Sequence, residues 1–181
     1  MTGADRRRWD QRYTRLGPPG ADAIGPPEFL APYADLIPAA GHALDIACGQ
    51  GRAAVWLASR GLHVWGVDVS PVAIDQARNL ARCSGFATQC RFDAVDLDAG
   101  LPPGPLVEVI LCHKFRDRRL DPTLAARLAP GGLLAIANLG EAGAGVSRFR
   151  AHAGELVSRF GELDAVAAGE ADGTAWLLAR G

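Results

Sequence analysis

The stretch ALDIACGQGR, from Ala43 to Arg52, sets a short apolar run, a cluster of small residues and the start of a helical segment in immediate succession. A chain leaving a buried strand through Ala47, Gly49 and Gly51 has to bend sharply, and small residues there let the backbone approach a neighbour or a ligand closely. A strand, a tight turn and a helix in that order open a parallel α/β sheet, in which helical crossovers bury both faces of the strands.

The rest of the chain repeats the unit. The first strand spans Ala43 to Ala47, and the helix from Arg52 to Ser59 stops at Gly61, a glycine placed to end it. HVWGVD, His63 to Asp68, is a second strand, after which Ser70 and Pro71 supply an N-cap and a first-turn proline for a helix reaching about Cys83. Further strands are expected at Gln89 to Ala94 and Val107 to Cys112. A helix is expected over Leu120 to Leu128, and Gly131-Gly132 turns the chain into a fifth strand, Leu133 to Asn138. A glycine-rich loop through Gly145, a helix near Gly154 to Phe160, and strands at Leu163 to Gly169 and Thr174 to Arg180 complete the pattern. Asp172-Gly173 between the last two is a hairpin signal. The expectation is an α/β, Rossmann-like fold: a seven-stranded, mostly parallel sheet with a C-terminal antiparallel hairpin and helices on both faces.

Residues 1–40 differ in texture, with proline and glycine crowded into GPPGADAIGPP, Gly17 to Pro27. They are expected to form an irregular arm or cap over the site, and residues 41–181 the main domain. Hydrophobic residues are 49% and charged residues 22% of the 181, the balance of a globular chain with one core. Runs such as LLAIA, Leu133 to Ala137, are far short of the ~18 apolar residues that suggest a membrane span. MTGADRRRWD has no apolar stretch behind its basic residues, so a cytoplasmic location is expected. A net charge of −1 creates no field to draw nucleic acid. Cys48, Cys83, Cys90 and Cys112 show neither disulfide nor zinc spacing; they read as reduced thiols, and no metal is expected.

Asp68 closes the second strand 19 positions after Gly49, where a carboxylate can accept hydrogen bonds from both hydroxyls of a ribose. A nucleoside-bearing cofactor is implied, but GQGRAA, Gly49 to Ala54, also satisfies the dinucleotide form G-x-G-x-x-A. Asp45, just before the turn, separates the alternatives: it can pair with the ammonium of a methionine moiety and would repel a pyrophosphate. S-adenosyl-L-methionine, with S-adenosyl-L-homocysteine as product, is therefore favoured over NAD(P).

Taken together, WDQRY (Trp9 to Tyr13), LDIACGQGR (Leu44 to Arg52), GVDVSPVAI (Gly66 to Ile74), AVDLDAGLP (Ala94 to Pro102), VEVILCHKF (Val107 to Phe115) and LAPGGLLAIA (Leu128 to Ala137) resemble the class I methyltransferases. The small tellurite-resistance and thiopurine-methyltransferase type is especially similar. The resemblance implies that Asp45 and the backbone of Ala47, Cys48, Gly49 and Gly51 hold the methionine end of the cofactor, and that Asp68 binds the ribose. It implies further that Val69 packs on the adenine, that Asp96 and the Leu97 amide read its edge, and that Cys112 and His113 lie beside the sulfonium. Trp9 and Tyr13 would be lid residues. Ala47 stands where the family usually has a glycine, and Glu108 where it has aspartate.

Methyl transfer is an in-line displacement that depends on alignment more than on a catalytic side chain. His113 is the candidate base, with packing beside the cofactor as its plainer role. KFRDRR, Lys114 to Arg119, sets four cations against one aspartate after the fourth strand. Lys114 and Arg116, with Arg148 from the later loop, are the candidates for an anionic small-molecule acceptor; the alternative is a solvated charged turn. Two other functions compete: an NAD(P)-binding oxidoreductase, and a non-catalytic cofactor- or RNA-binding module using Arg6 to Arg8.

Overall fold

The computed structural model describes residues 3–139, 152, 154–171 and 173–181. Seven strands form one sheet: β1 (His42–Ile46), β2 (His63–Asp68), β3 (Cys90–Ala94), β4 (Val107–His113), β5 (Leu128–Leu139), β6 (Asp164–Ala171) and β7 (Thr174–Arg180). Their order is β3-β2-β1-β4-β5-β7-β6. The pairs among β1 to β5 are parallel, and β7 runs antiparallel to both β5 and β6. The order reverses between β1 and β4, and open α/β sheets bind ligands outside the carboxyl ends of the strands at such a switch point.

Alternation along the strands builds two cores. Leu44, Ile46, Val67, Ile110, Leu134 and Leu177 face one side, beneath α4 (Asp121–Arg127) and α5 (Glu155–Arg159). Ala43, Val64, Val109, Leu111, Leu133 and Leu178 face the other, beneath α2 (Arg52–Ser59), α3 (Pro71–Cys83) and a 3-10 segment, Ala31–Leu36. Burial on both faces is why these strands read as near-continuous apolar runs. In α3, Ala73, Ile74, Ala77, Leu80 and Ala81 recur at helical spacing on the buried face, and the Ser70 hydroxyl caps the first turn by accepting from the Ala73 amide at 3.2 Å.

The N-terminal segment departs from the expected irregular arm, because Gly3–Leu16 is a helix, α1, lying beside α3. GADRRRWDQRYTRL holds no proline, has Asp5 in its first turn and Arg15 in its last, and ends at Gly17. Gly17, at φ +68°, donates its amide to the Tyr13 carbonyl at 3.1 Å, a left-handed helix stop. The irregular part of the arm begins only there.

The strand β5 begins five residues earlier than Leu133. Val107 pairs with Leu128 and Val109 with Leu133, so the intervening residues, including Gly131 at φ +74°, form a bulge within the strand. The preceding helix accordingly ends at Arg127. The hairpin joins Ala171 to Thr174 in register, with Gly173 at φ +69°. Asp172 and the glycine-rich loop through Gly145 lie outside the described residues. Among the described residues no helix is long and apolar enough to cross a membrane.

Candidate functional site

At the carboxyl ends of β1, β2 and β4 lies a cavity of about 480 Å³, a size suited to a nucleoside cofactor. Its walls bring together Trp9 and Tyr13 from α1, Asp45, Ala47, Cys48 and Gly49 from the first turn, Asp68 and Val69 after β2, and His113 and Lys114 after β4.

The turn is built by backbone conformation. Ala47 (φ 55°), Gly49 (φ 53°) and Gly51 (φ 76°) are all left-handed, a conformation that costs a residue with a side chain roughly 1 to 2 kcal/mol, so Ala47 holds strain that a glycine would not. A Cβ on Gly49 would stand 2.8 Å from the Tyr13 hydroxyl, on the cavity side. On Gly51 it would stand 2.7 Å from the Ala77 Cβ and 3.0 Å from the Phe92 ring, so Gly51 lets α2 start hard against α3 and β3 and does not line the cavity.

Two carboxylates set the electrostatics. Asp68 is buried and accepts from the Gly49 amide and the Ser70 amide, each at 2.9 Å. Burial raises its pKa, and those two amides oppose the rise. Asp45 is buried with one oxygen, Oδ2, that has no hydrogen-bond partner. Burial first and the charge of Asp68 second push its pKa up to about 8, with the Ala54 amide acting against them. A buried carboxylate left this way is poised for a cation. Burial, Asp45 and Asp68 likewise keep the Cys48 thiol protonated.

The roof is α1. The Ser70 hydroxyl donates to Asp10 at 2.5 Å, the Gln76 amide to the Tyr13 carbonyl at 3.1 Å, and the Gln50 amide to the Gly17 carbonyl at 2.7 Å. Trp9 and Tyr13 stack at 5.8 Å between centroids, with the Arg12 guanidinium 5.7 Å from the Trp9 ring. Sequence reading missed Asp10, Gln50 and Gln76, whose polar character has no local pattern and whose partners are 60, 33 and 63 residues away.

His113, at the end of β4, packs on Phe29 with centroids 5.6 Å apart. Burial, then the neighbouring Lys114 charge, lowers its pKa to about 4. Lys114 has a left-handed backbone (φ 61°) and donates its amide to the Ala137 carbonyl at 2.7 Å. Strain of this kind is often held at functional positions.

The remaining candidates sit elsewhere. Cys112 points into the core, its thiol 3.3 Å from the Phe115 carbonyl, and burial raises its pKa to about 12. Arg116 corrects the reading of KFRDRR as a run of cations facing an acceptor: it is 1% exposed and bound to Asp121 at 2.5 and 2.8 Å and to Glu155 at 2.9 Å. Its guanidinium fork is occupied by two carboxylates and does not line the cavity. Asp96 is exposed and caps a short 3-10 turn, while Leu97 is buried in the core; neither lines the cavity. Arg148 lies outside the described residues.

A family model for the methyltransferase domain matches residues 43–132. Methyltransferase GfsG from Streptomyces halstedii is 34% identical over 115 residues, which are 59% of this chain and 41% of that protein. The chain thus spans less than half the length of that relative. Among solved structures, TehB from Haemophilus influenzae superposes with a TM-score of 0.74 at 17% identity, over 84% of this chain and 61% of that one. A SAM-dependent methyltransferase from Thiobacillus denitrificans in complex with S-adenosyl-L-homocysteine superposes with a TM-score of 0.65 at 21% identity, over 88% and 72% of the two chains. At those identities the structural likeness speaks to the fold alone.

Proposed function

Starting from a chain that belongs to the class I S-adenosylmethionine-dependent methyltransferases, we propose that it transfers the methyl group of S-adenosyl-L-methionine to a small-molecule acceptor. The observation that carries this reading is the buried, unpartnered oxygen of Asp45 beside Asp68 at the first turn. An ammonium there meets a carboxyl group that already lacks water and draws it into its charged form, whereas a pyrophosphate would oppose that ionisation and stand against Asp68, so the residues fit adenosylmethionine and disfavour NAD.

When bound, adenosylmethionine supplies an electrophilic methyl group on a sulfonium and is left as S-adenosyl-L-homocysteine. In this reading Asp45 and the Ala47 to Gly49 backbone hold the methionine end, and Asp68 receives the ribose hydroxyls. Gly51 supports that loop from behind. Val69 lies where an adenine would pack, with Asp96 and Leu97 beyond it. Helix α1 covers the site through Trp9 and Tyr13 and excludes water from it. His113 carries no proton at neutral pH and accepts one weakly. Its role is to contact and orient the acceptor, and rate enhancement comes mainly from alignment. Lys114 at the mouth favours an acceptor with negative charge.

Calorimetric titration with adenosylmethionine, adenosylhomocysteine and NAD tests the reading. Binding of the first two, weakened about ten- to a hundredfold in Asp68→Asn through loss of charge-assisted hydrogen bonds, is the expected result. Binding of NAD alone would sink it. Retention on RNA that falls with salt, without turnover of adenosylmethionine, would favour a binding module built on Arg6 to Arg8.

A further inference from the structure

Strands β1 and β2 each begin with a histidine, and the sheet sets the two side by side. His42 and His63 are Cα partners in the parallel register, although 21 residues separate them in the chain. Their rings lie with centroids 5.7 Å apart and planes 34° from each other. Both are exposed, at the amino edge of the sheet, opposite the cavity that Asp45 and Asp68 line. Among the described residues, neither ring has a hydrogen-bond or ion-pair partner.

The frame beneath the pair is fixed. The His42 amide donates to the Glu108 carboxylate at 2.5 Å and the His63 amide to the Gly41 carbonyl at 2.9 Å, so only the side-chain torsions remain free. Little ordering is then left for a ligand to impose. Glu108 brings negative charge to the start of β1. Arg91, which lines the same recess of about 260 Å³ as the two histidines, is matched by Asp93 at 2.6 Å. An imidazole nitrogen binds a divalent transition metal at about 2.0 to 2.1 Å, which sets each ring centre about 3.2 Å from the ion. Ring centres 5.7 Å apart can therefore share one ion at an angle of about 125°, a small rotation away from the tetrahedral value.

We propose that His42 and His63 chelate one divalent transition-metal ion of the borderline class that favours imidazole, such as Ni²⁺, Cu²⁺ or Zn²⁺. No set of three His, Cys, Asp or Glu side chains gathers round an ion among the described residues, so the protein supplies two ligands and water completes the shell. Cysteine spacing argues against a thiolate centre; this pair is created only by the register of β1 and β2. Because the two ligands converge only in the folded sheet, the ion stabilises the fold by mass action. It clamps the starts of the two strands whose far ends carry Asp45 and Asp68, and it takes no part in methyl transfer.

The test is a calorimetric titration of untagged protein with nickel chloride. One Ni²⁺ should bind per chain, about tenfold or more tighter than it binds free imidazole, and should raise the thermal midpoint. His42→Gln and His63→Gln should each weaken binding about tenfold or more and remove the thermal shift, while their near-UV circular dichroism stays that of the parent. Cys83→Ser, which removes an exposed thiol, should bind Ni²⁺ as the parent does. Affinity no higher than that of free imidazole, glutamine variants that bind as the parent does, or loss of binding in Cys83→Ser would overturn the proposal.

Discussion

Asp45 is a carboxylate that the fold withholds from water before anything is bound. With its pKa raised from the ordinary 3.8 to about 8, it holds a proton in the folded chain through most of the range where the unfolded chain would have lost it. The stability it contributes is therefore full below about pH 4 and lost as the pH rises towards about 8. Measured by urea midpoints, the parent protein should lose stability relative to Asp45→Asn over that interval. Binding an ammonium requires the carboxylate, so cofactor binding at neutral pH should release close to one proton. Titrations in two buffers of different ionisation enthalpy read this directly, and identical apparent enthalpies would show Asp45 to be ionised already. Arg116 presents the converse case, a charge whose partners are already in place. Arg116→Ala leaves Asp121 and Glu155 facing a gap and should cost about 3 to 5 kcal/mol in chemical denaturation. Arg116→Lys should recover only part of this, since an ammonium cannot make the paired contact with Asp121.

The first turn and α1 divide the work of the site between them. At Gly51 a side chain meets both a left-handed backbone and the Ala77 and Phe92 contacts, so Gly51→Ala should destabilise the fold by about 3 kcal/mol. Gly85→Ala, at φ +82° in open space, should show only the backbone share, about 1 kcal/mol. Equal losses in the two would remove the packing argument. Helix α1 is tied down by side-chain hydrogen bonds at Asp10, Gln76 and Gln50, each worth about 1 kcal/mol. Asp10→Ala should therefore cost only about 1 kcal/mol in urea denaturation yet speed cofactor dissociation several-fold in stopped-flow measurements. An unchanged off-rate would mean that α1 does not act as the lid.

Over the whole molecule, two groups of carboxylates pull the stability profile in opposite directions. Burial would raise the pKa of Glu155, but Arg118, the His152 amide and Arg116 together hold it at about 2, so its contribution is lost as the pH falls from 4.5 towards 2. Asp45 and Asp68, both raised, lose theirs as the pH rises. The free protein should be most stable at about pH 4, and saturating cofactor should move that maximum towards neutrality; thermal midpoints across pH test both statements. Much of this architecture was legible beforehand because its causes are local. Apolar runs marked β1, β2 and β4, the glycine spacing marked the turn, and Ser70-Pro71 marked the start of α3. The N-terminal helix was obscured because the prolines and glycines of residues 17–27 coloured the reading of the whole segment. By itself, then, the sequence determined the strands of the core and the place of the cofactor turn, since periodicity, capping and backbone freedom act over a few residues. Tertiary structure alone decided that Arg116 faces carboxylates from α4 and α5, that Asp10 ties α1 to Ser70, and that Phe29 and Trp176 meet near His113. These contacts join residues far apart in the chain, and their energies exist only once the sheet has brought the partners together.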